Sequence, residues 1–265
     1  MPKLDDPPST RLPALLVAYP YLSAFLDNRP RYAYRNWALD SGAFSAFNSG
    51  VTIDLQQYTE ICQVLLENDP TLTEVFALDV IGDWRASLKN AEAMWAKGIP
   101  AIPTFHESEP WDVLKGIAKD YDKIAIGGCV GSRTRDKFAG QCFARVWPKK
   151  IHGFGFGTRK AILSFPWHSV DATSWEVAPC RYGRWNAFGN RGGREDAISV
   201  RGSSQNLRIE VEWYLDLEEE ARKRWAKEMA KLQTQGPAVR LSLVATARGR
   251  ADNDKSPFLK GNSDV

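Results

Sequence analysis

The strongest constraint on this chain is a pattern that it repeats: a short apolar run that breaks off at a carboxylate, a histidine or a glycine. Leu39-Asp40-Ser41-Gly42-Ala43-Phe44 is one instance. Phe76-Ala77-Leu78-Asp79, Ile102-Pro103-Thr104-Phe105-His106, Ile124-Ala125-Ile126-Gly127-Gly128 and Ser169-Val170-Asp171 are others. Runs bounded in this way read as strands, and polar groups at strand ends collect on the rim of a sheet or barrel, where α/β enzymes build their sites. Helical patterns lie between them. Leu55, Tyr58, Ile61, Cys62, Leu65 and Leu66 fall at helical spacing behind Asp54, and Asp83 suits the start of a helix through Lys97 that Gly98 stops. Residues 111–121 and 135–146 read as further helices, and 14–19, 75–80, 100–105, 123–130, 150–156 and 169–173 as strands.

Strand–helix alternation at intervals of roughly 25 to 30 residues predicts parallel βα units. The fold class is therefore α/β, as a (β/α)8-type TIM barrel with irregular parts or as an open doubly wound sheet. The barrel is preferred because polar signatures end nearly every strand. A chain of 265 residues with 43% hydrophobic content suffices for one such domain. Residues 1–12, rich in Pro, Asp and Ser, form an expected flexible arm, residues 13–246 the barrel domain, and residues 247–265 a disordered tail with a polar composition. Within the domain, residues 178–206 are rich in Arg, Gly and Asn, with Trp185 and Phe188 interleaved. Residues 207–232 read as a long charged helix carrying Trp213, Leu217 and Trp225, a C-terminal helical extension.

A net charge of +3 is too small to argue for a polyanionic partner by itself, so the distribution of charge matters more than its sum. Cys62, Cys129, Cys142 and Cys180 contain no C-x-x-C pair and fit reduced thiols better than a disulfide framework or a zinc site. The opening Met1-Pro2-Lys3-Leu4-Asp5-Asp6 lacks a signal-peptide pattern, and no apolar run approaches the ~20 residues of a spanning helix, so a cytoplasmic protein without membrane contact is expected. His152-Gly153-Phe154-Gly155-Phe156-Gly157 lacks the second half of a dinucleotide-binding fingerprint and suits a tight turn near a sugar or phosphate instead.

Asp40-Ser41-Gly42-Ala43-Phe44 resembles the D-S-G-G-[FY] element of the tRNA-guanine transglycosylase family. Asp79 lies where that family carries a base-reading aspartate. Gly127-Gly128-Cys129-Val130-Gly131 resembles its G-G-L-x-x-G loop, His152-Gly153-Phe154-Gly155 its later glycine turn, and Val170-Asp171 its nucleophile strand. The ordered set, covering residues 37–190, is most similar to the short phage-encoded branch that inserts 7-deazaguanines into DNA. The zinc-binding cysteines of the tRNA enzymes have no counterpart, since only Cys180 lies downstream of Asp171. The resemblance therefore implies no cofactor and no metal, and a host-cell cytoplasmic location if the chain is phage-encoded.

What the resemblance implies is exchange of guanine in DNA, or alternatively in tRNA, for a 7-deazaguanine base such as preQ0 or preQ1. Such an exchange breaks an N-glycosidic bond through an oxocarbenium-like sugar, which calls for a carboxylate at C1′ and a second carboxylate to move protons. Asp171 is the expected nucleophile and Asp40 the general acid/base, although either aspartate also suits a turn. Asp79 is expected to accept from the N1–H and N2–H2 of guanine, with His106, Gly127, Gly128 and Cys129 around the base. Phe44 either stacks on the base or belongs to the core. Ser41, Gly42, His152 and Gly153 are placed near the sugar and phosphate. Arg181, Arg184, Arg191, Arg194 and Arg201 form a candidate nucleic-acid track that Lys149, Lys150, Arg159 and Lys160 extend, or else a solubilising loop. His168 has no evident partner and reads as a loop residue. A barrel glycoside hydrolase using Asp40 and Asp171, and a non-catalytic nucleic-acid-binding subunit, are the alternative functions.

Overall fold

Apolar residues line both faces of the central strands, and alternation sorts them into an inner and an outer set. The computed structural model describes residues 11–177, 186–188 and 204–234, with side chains of the last segment over 207–227. Strands β1 (Ala14–Ala18), β2 (Asn36–Asp40) and β3 (Leu72–Val75) form one parallel sheet. Strands β4 (Thr104–His106), β5 (Lys123–Gly127), β6 (Lys150–Gly153) and β7 (Ser169–Val170) form another. A parallel bridge between Phe76 and Ile102 joins the two. Among the described strands, neighbours in space are thus neighbours in sequence from β1 to β7, without the reversal that marks a doubly wound sheet.

The connecting helices are α1 (Leu22–Asn28), α2 (Ala43–Asn48), α3 (Leu55–Asn68), α4 (Trp84–Ala96), α5 (Trp111–Asp120), α6 (Arg135–Val146) and α7 (Arg159–Ser164), followed by α8 (Ser204–Thr234). Outward-facing Trp37, Leu39 and Val75 pack with Tyr58 and Cys62 of α3 and Ala91 and Met94 of α4. Outward-facing Phe105, Ile124, Ile126 and Ile151 pack with Leu114 of α5 and with Phe138 and Phe143 of α6. The inner set is Phe76, Ile102 and Ala125, with Leu16, Ala38 and Phe154 against them. Burial on both faces is why these strands read as unbroken apolar runs.

The strand series is concave. In a flat sheet the segment after β3 and the strand β6 would stand three spacings apart, roughly 14 Å. The ring centroids of Phe76 and His152 are 4.7 Å apart, and those of Phe76 and Phe154 4.9 Å. Nearer the strand starts, Glu74 of β3 reaches Lys123 Nζ of β5 at 2.6 Å and Nε2 of His168, just before β7, at 2.7 Å. His168 is therefore a hydrogen-bond partner of Glu74 across the concave face rather than an unengaged loop residue.

Helix α8 touches both margins of the series. Arg11, ahead of β1, pairs with Asp216 at 2.6 Å, and Arg35, ahead of β2, with Glu218 at 2.6 Å. On the other side Arg159 of α7 pairs with Glu220 at 2.6 Å, while Trp213, Tyr214 and Leu217 pack with Ile162, Leu163 and Val170. Exposed ion pairs contribute little, so the apolar contact supplies most of the attachment.

Asp54 and Asp83 cap α3 and α4 as expected: Asp54 accepts from the Gln57 N–H at 2.7 Å, and Asp83 from Arg85 and Ala86 at 3.0 and 3.1 Å. The strands are shorter than the apolar runs. Strand β5 stops at Gly127 because Gly128 adopts φ +74°, outside the extended region. Likewise 150–156 shrinks to β6 and 169–173 to β7, while α8 exceeds the expected 207–232 at both ends. No helix among the described residues is long and apolar enough to cross a membrane. The expected arm, except for Arg11 and Leu12, and the tail lie outside the described residues.

Candidate active site

Parallel strands deliver their C-terminal ends to one rim, and the predicted residues collect there. Asp40 ends β2, Asp79 follows the Phe76 bridge, His106 ends β4, Gly127 ends β5 and Asp171 follows β7. The turn after Asp40 is fixed by Gly42, whose φ of +70° and 2.4 Å approach of an added Cβ to Pro20 Cδ leave no room for a side chain. Its N–H donates to Asp40 Oδ2 at 3.1 Å, and buried Ser41 accepts from the Ala43 N–H at 3.4 Å. Burial pushes Asp40 up to about 7, against the Gly42 N–H, and the charges of Asp79 and Asp171 push it further in the same direction. Those couplings place the three carboxylates in one electrostatic neighbourhood.

Asp171 is also raised, chiefly by burial, while the Gly155 N–H, 2.6 Å from Oδ1, favours its ionised form. Beside it His152 is buried against the rings of Phe76 and Phe154, with Nδ1 2.8 Å from Ser169 Oγ and Nε2 3.8 Å from Asp171 Oδ1. Burial drives His152 down to about 3, so it is a neutral imidazole. The loop after β6 lies close over this corner. A Cβ on Gly157 would fall 2.2 Å from Ala172 Cβ, and one on Gly153 would fall 2.6 Å from the Trp167 ring. Gly153 thus makes room for a packed indole. Tyr214 of α8 hydrogen-bonds the Ser174 hydroxyl and donates to the Gly157 carbonyl at 3.0 Å, tying α8 to the loops on either side of Asp171.

On the opposite flank Asp79 Oδ2 stands 3.5 Å from His106 Nε2, and Asp79 Oδ1 is buried without a hydrogen-bond partner. Glu109 Oε1 lies 2.8 Å from His106 Nδ1. Burial disfavours a charge on His106, yet the two carboxylates outweigh it and raise the imidazole to about 10. Gly128 packs against this histidine, with the position of a Cβ 3.1 Å from His106 Cβ. Cys129 is buried in the cluster between the strands and helices α5 and α6 rather than among the inner residues, and its thiol donates to the Gly127 carbonyl at 3.3 Å. Glu107 accepts from Ser132 at 2.9 Å and Thr134 at 2.5 Å, so the loops after β4 and β5 are fastened together.

Asp40, Asp79 and Asp171 therefore share one rim and one field, and His106 joins them. Phe44 is not core: it is 53% exposed on α2, one turn beyond Asp40, with Phe47 on the same face at 62%. Lys149 and Lys150 stand at the start of β6, the opposite rim from Asp171, and Lys149 bonds Asp122 and the Tyr121 carbonyl. They do not extend a track toward the carboxylates. Lys160 lies 3.5 Å from Asp136. Arg181, Arg184, Arg191, Arg194 and Arg201, with Cys180 and Trp185, fall outside the described residues. Sequence reasoning passed over Glu109, although its spacing of three from His106 was a usable local signal, and over Tyr214, which carried none.

Among the described residues no group of three His, Cys, Asp or Glu side chains is arranged to hold a metal ion. No protein-family model and no curated protein matches this chain. The chemistry of the rim rests on its own geometry: a half-buried carboxylate with a raised proton affinity, a second held by a backbone N–H, and a third beside a cationic imidazole.

Proposed function

We propose that the chain is a guanine transglycosylase on an incomplete (β/α) barrel, exchanging guanine in DNA for a 7-deazaguanine such as preQ0 or preQ1. The concave, sequentially ordered strands and the helix that reaches both of their margins support the barrel form. The observation that carries the activity is the convergence of Asp40, Asp79 and Asp171 at the C-terminal ends of parallel strands on one rim, in keeping with the upward push of the latter two on Asp40.

Two displacements at one sugar carbon need a nucleophile and a proton carrier with different proton affinities. In the first, Asp171 attacks C1′ and the C1′–N9 bond breaks, while Asp40 delivers a proton to the departing guanine. In the second, Asp40 takes the N9 proton of the incoming deazaguanine, whose nitrogen attacks C1′ and expels the Asp171 carboxylate. Both displacements invert, so the anomer is retained. The neutral His152 and the rings of Phe76 and Phe154 exclude water beside the ester, which favours exchange over hydrolysis. A target base inside a duplex must first be flipped out, and Phe44, exposed on α2 just beyond Asp40, is suited to stack on a neighbouring base.

The decisive experiment is incubation of DNA with isotope-labelled deazapurine, followed by nucleoside mass analysis and a search for a denaturation-resistant protein–DNA adduct. Label in deoxynucleosides, lost with Asp171→Asn, is the expected result. Label in tRNA only moves the substrate to RNA, and turnover of a simple glycoside without nucleic acid overturns the reading in favour of a hydrolase.

A further inference from the structure

Resting on that reading of the rim, we propose that Glu109 is a positioning residue: it grips Nδ1 of His106 so that the imidazole presents a charged N–H beside Asp79, and the two together select a base edge with a ring N–H next to a carbonyl. The starting point is local. His106 closes β4, the chain turns, and the Glu109 N–H donates back to the His106 carbonyl at 3.0 Å, which carries the glutamate side chain beneath the ring. Glu109 Oε1 then meets Nδ1 at 2.8 Å, while Nε2 faces Asp79 Oδ2 at 3.5 Å.

A carboxylate facing each ring nitrogen favours the doubly protonated imidazole, the one form that can donate in both directions. The upward shift of His106 to about 10 agrees with this. The groups facing this unit are Asp79 and Glu109 directly, and Asp40, which feels the Asp79 charge. The longer of the two contacts is the one to Asp79, whose other oxygen, Oδ1, is buried and lacks a partner. An acceptor on Asp79 and a donor on His106 complement the N1–H and O6 of a 6-oxopurine or its 7-deaza analogue. Adenine offers the reverse polarity, an acceptor at N1 beside an amino donor, and would leave both groups unpaired. Glu109 touches no ligand in this arrangement. Its work is to keep the ring charged and aimed.

Nitrogen NMR of the three histidines in the full chain, without nucleic acid, tests the role directly. At pH 8 the unaltered protein should show His106 protonated at both ring nitrogens, and Glu109→Gln should convert it to a neutral ring. A His152 that is still neutral at pH 5 in both proteins, where an unfolded imidazole would be charged, reports that the fold persists. In exchange assays the variant should raise the KM for the incoming deazaguanine about tenfold or more, with a smaller change in kcat. A neutral His106 in the unaltered protein, or one still doubly protonated in Glu109→Gln, overturns the proposal. The first of these needs no variant to fold. Because the spectra require no substrate, a charged His106 in a protein that exchanges no base sinks the transglycosylase reading while leaving the Glu109–His106 pairing in place.

Discussion

Asp40 shows how little of a residue's chemistry is local. Its position at the end of a strand is evident from Leu39-Asp40-Ser41-Gly42, yet its proton affinity is set by burial and by Asp79 and Asp171, 39 and 131 residues further along. Two outcomes follow from the value of about 7. Exchange needs Asp40 protonated and Asp171 ionised in the first displacement, so the rate should fall as pH rises through about 7, and fall again on the acid side as Asp171 takes up a proton. A pH–rate profile of adduct formation checks this, and a rate that stays flat between pH 6 and 9 contradicts it. The second outcome concerns stability. The folded-state affinity lies above the unfolded value of 3.8, so the cost to stability begins near pH 3.8, grows as pH rises and is complete above about 7. Asp40→Asn should therefore abolish exchange yet raise unfolding stability at pH 8.5 by about 1–3 kcal/mol, an advantage that shrinks toward pH 4. Denaturant midpoints at the two pH values measure it. Asp79, His106 and Asp171 were equally legible as strand-end groups. Glu109 lacks that mark, because it lies in the turn three residues beyond the end of β4.

Among the elements, legibility tracked the range of the forces involved. The caps at Asp54 and Asp83 act across two or three residues, and α3 to α6 are long enough to display their periodicity. The six- and seven-residue helices α1, α2 and α7 are too short to show a 3.6-residue repeat, and they were not foreseen. Pairing between Glu74 and His168 spans 94 positions and is invisible to any local pattern. That network links β3, β5 and the approach to β7, and Glu74 is held down near 2: burial opposes its charge, but His168 and Lys123 outweigh it. Its contribution is present above about pH 4.5 and lost as pH falls through 2. Glu74→Gln should cost about 1–3 kcal/mol at pH 7, because Lys123 loses its anion, and the gap to the unaltered protein should close toward pH 2. Chemical unfolding across that range measures it, and an equal gap at pH 7 and pH 2.5 would contradict the assignment.

Over the whole molecule, α8 joins what the strand order leaves apart. The sequence announced a long charged helix but not its mooring, since Arg11, Arg35 and Arg159 come from three distant segments. Leu217, only 1% exposed, anchors it against Ile162 and Leu163. Leu217→Ala should cost about 2–4 kcal/mol and keep a single unfolding transition, because the helix is part of the cooperative unit. A separate early melting step in calorimetry would instead mark α8 as an appendage. The same mooring bears on biosynthesis. A ribosome translating this message releases the seven described strands before α8, so the nascent chain waits with the β7 margin uncovered until Leu217 has cleared the exit tunnel. An edge strand left bare for that interval invites pairing with other chains, and faster translation of the stretch between β7 and Leu217 should raise the yield of native protein.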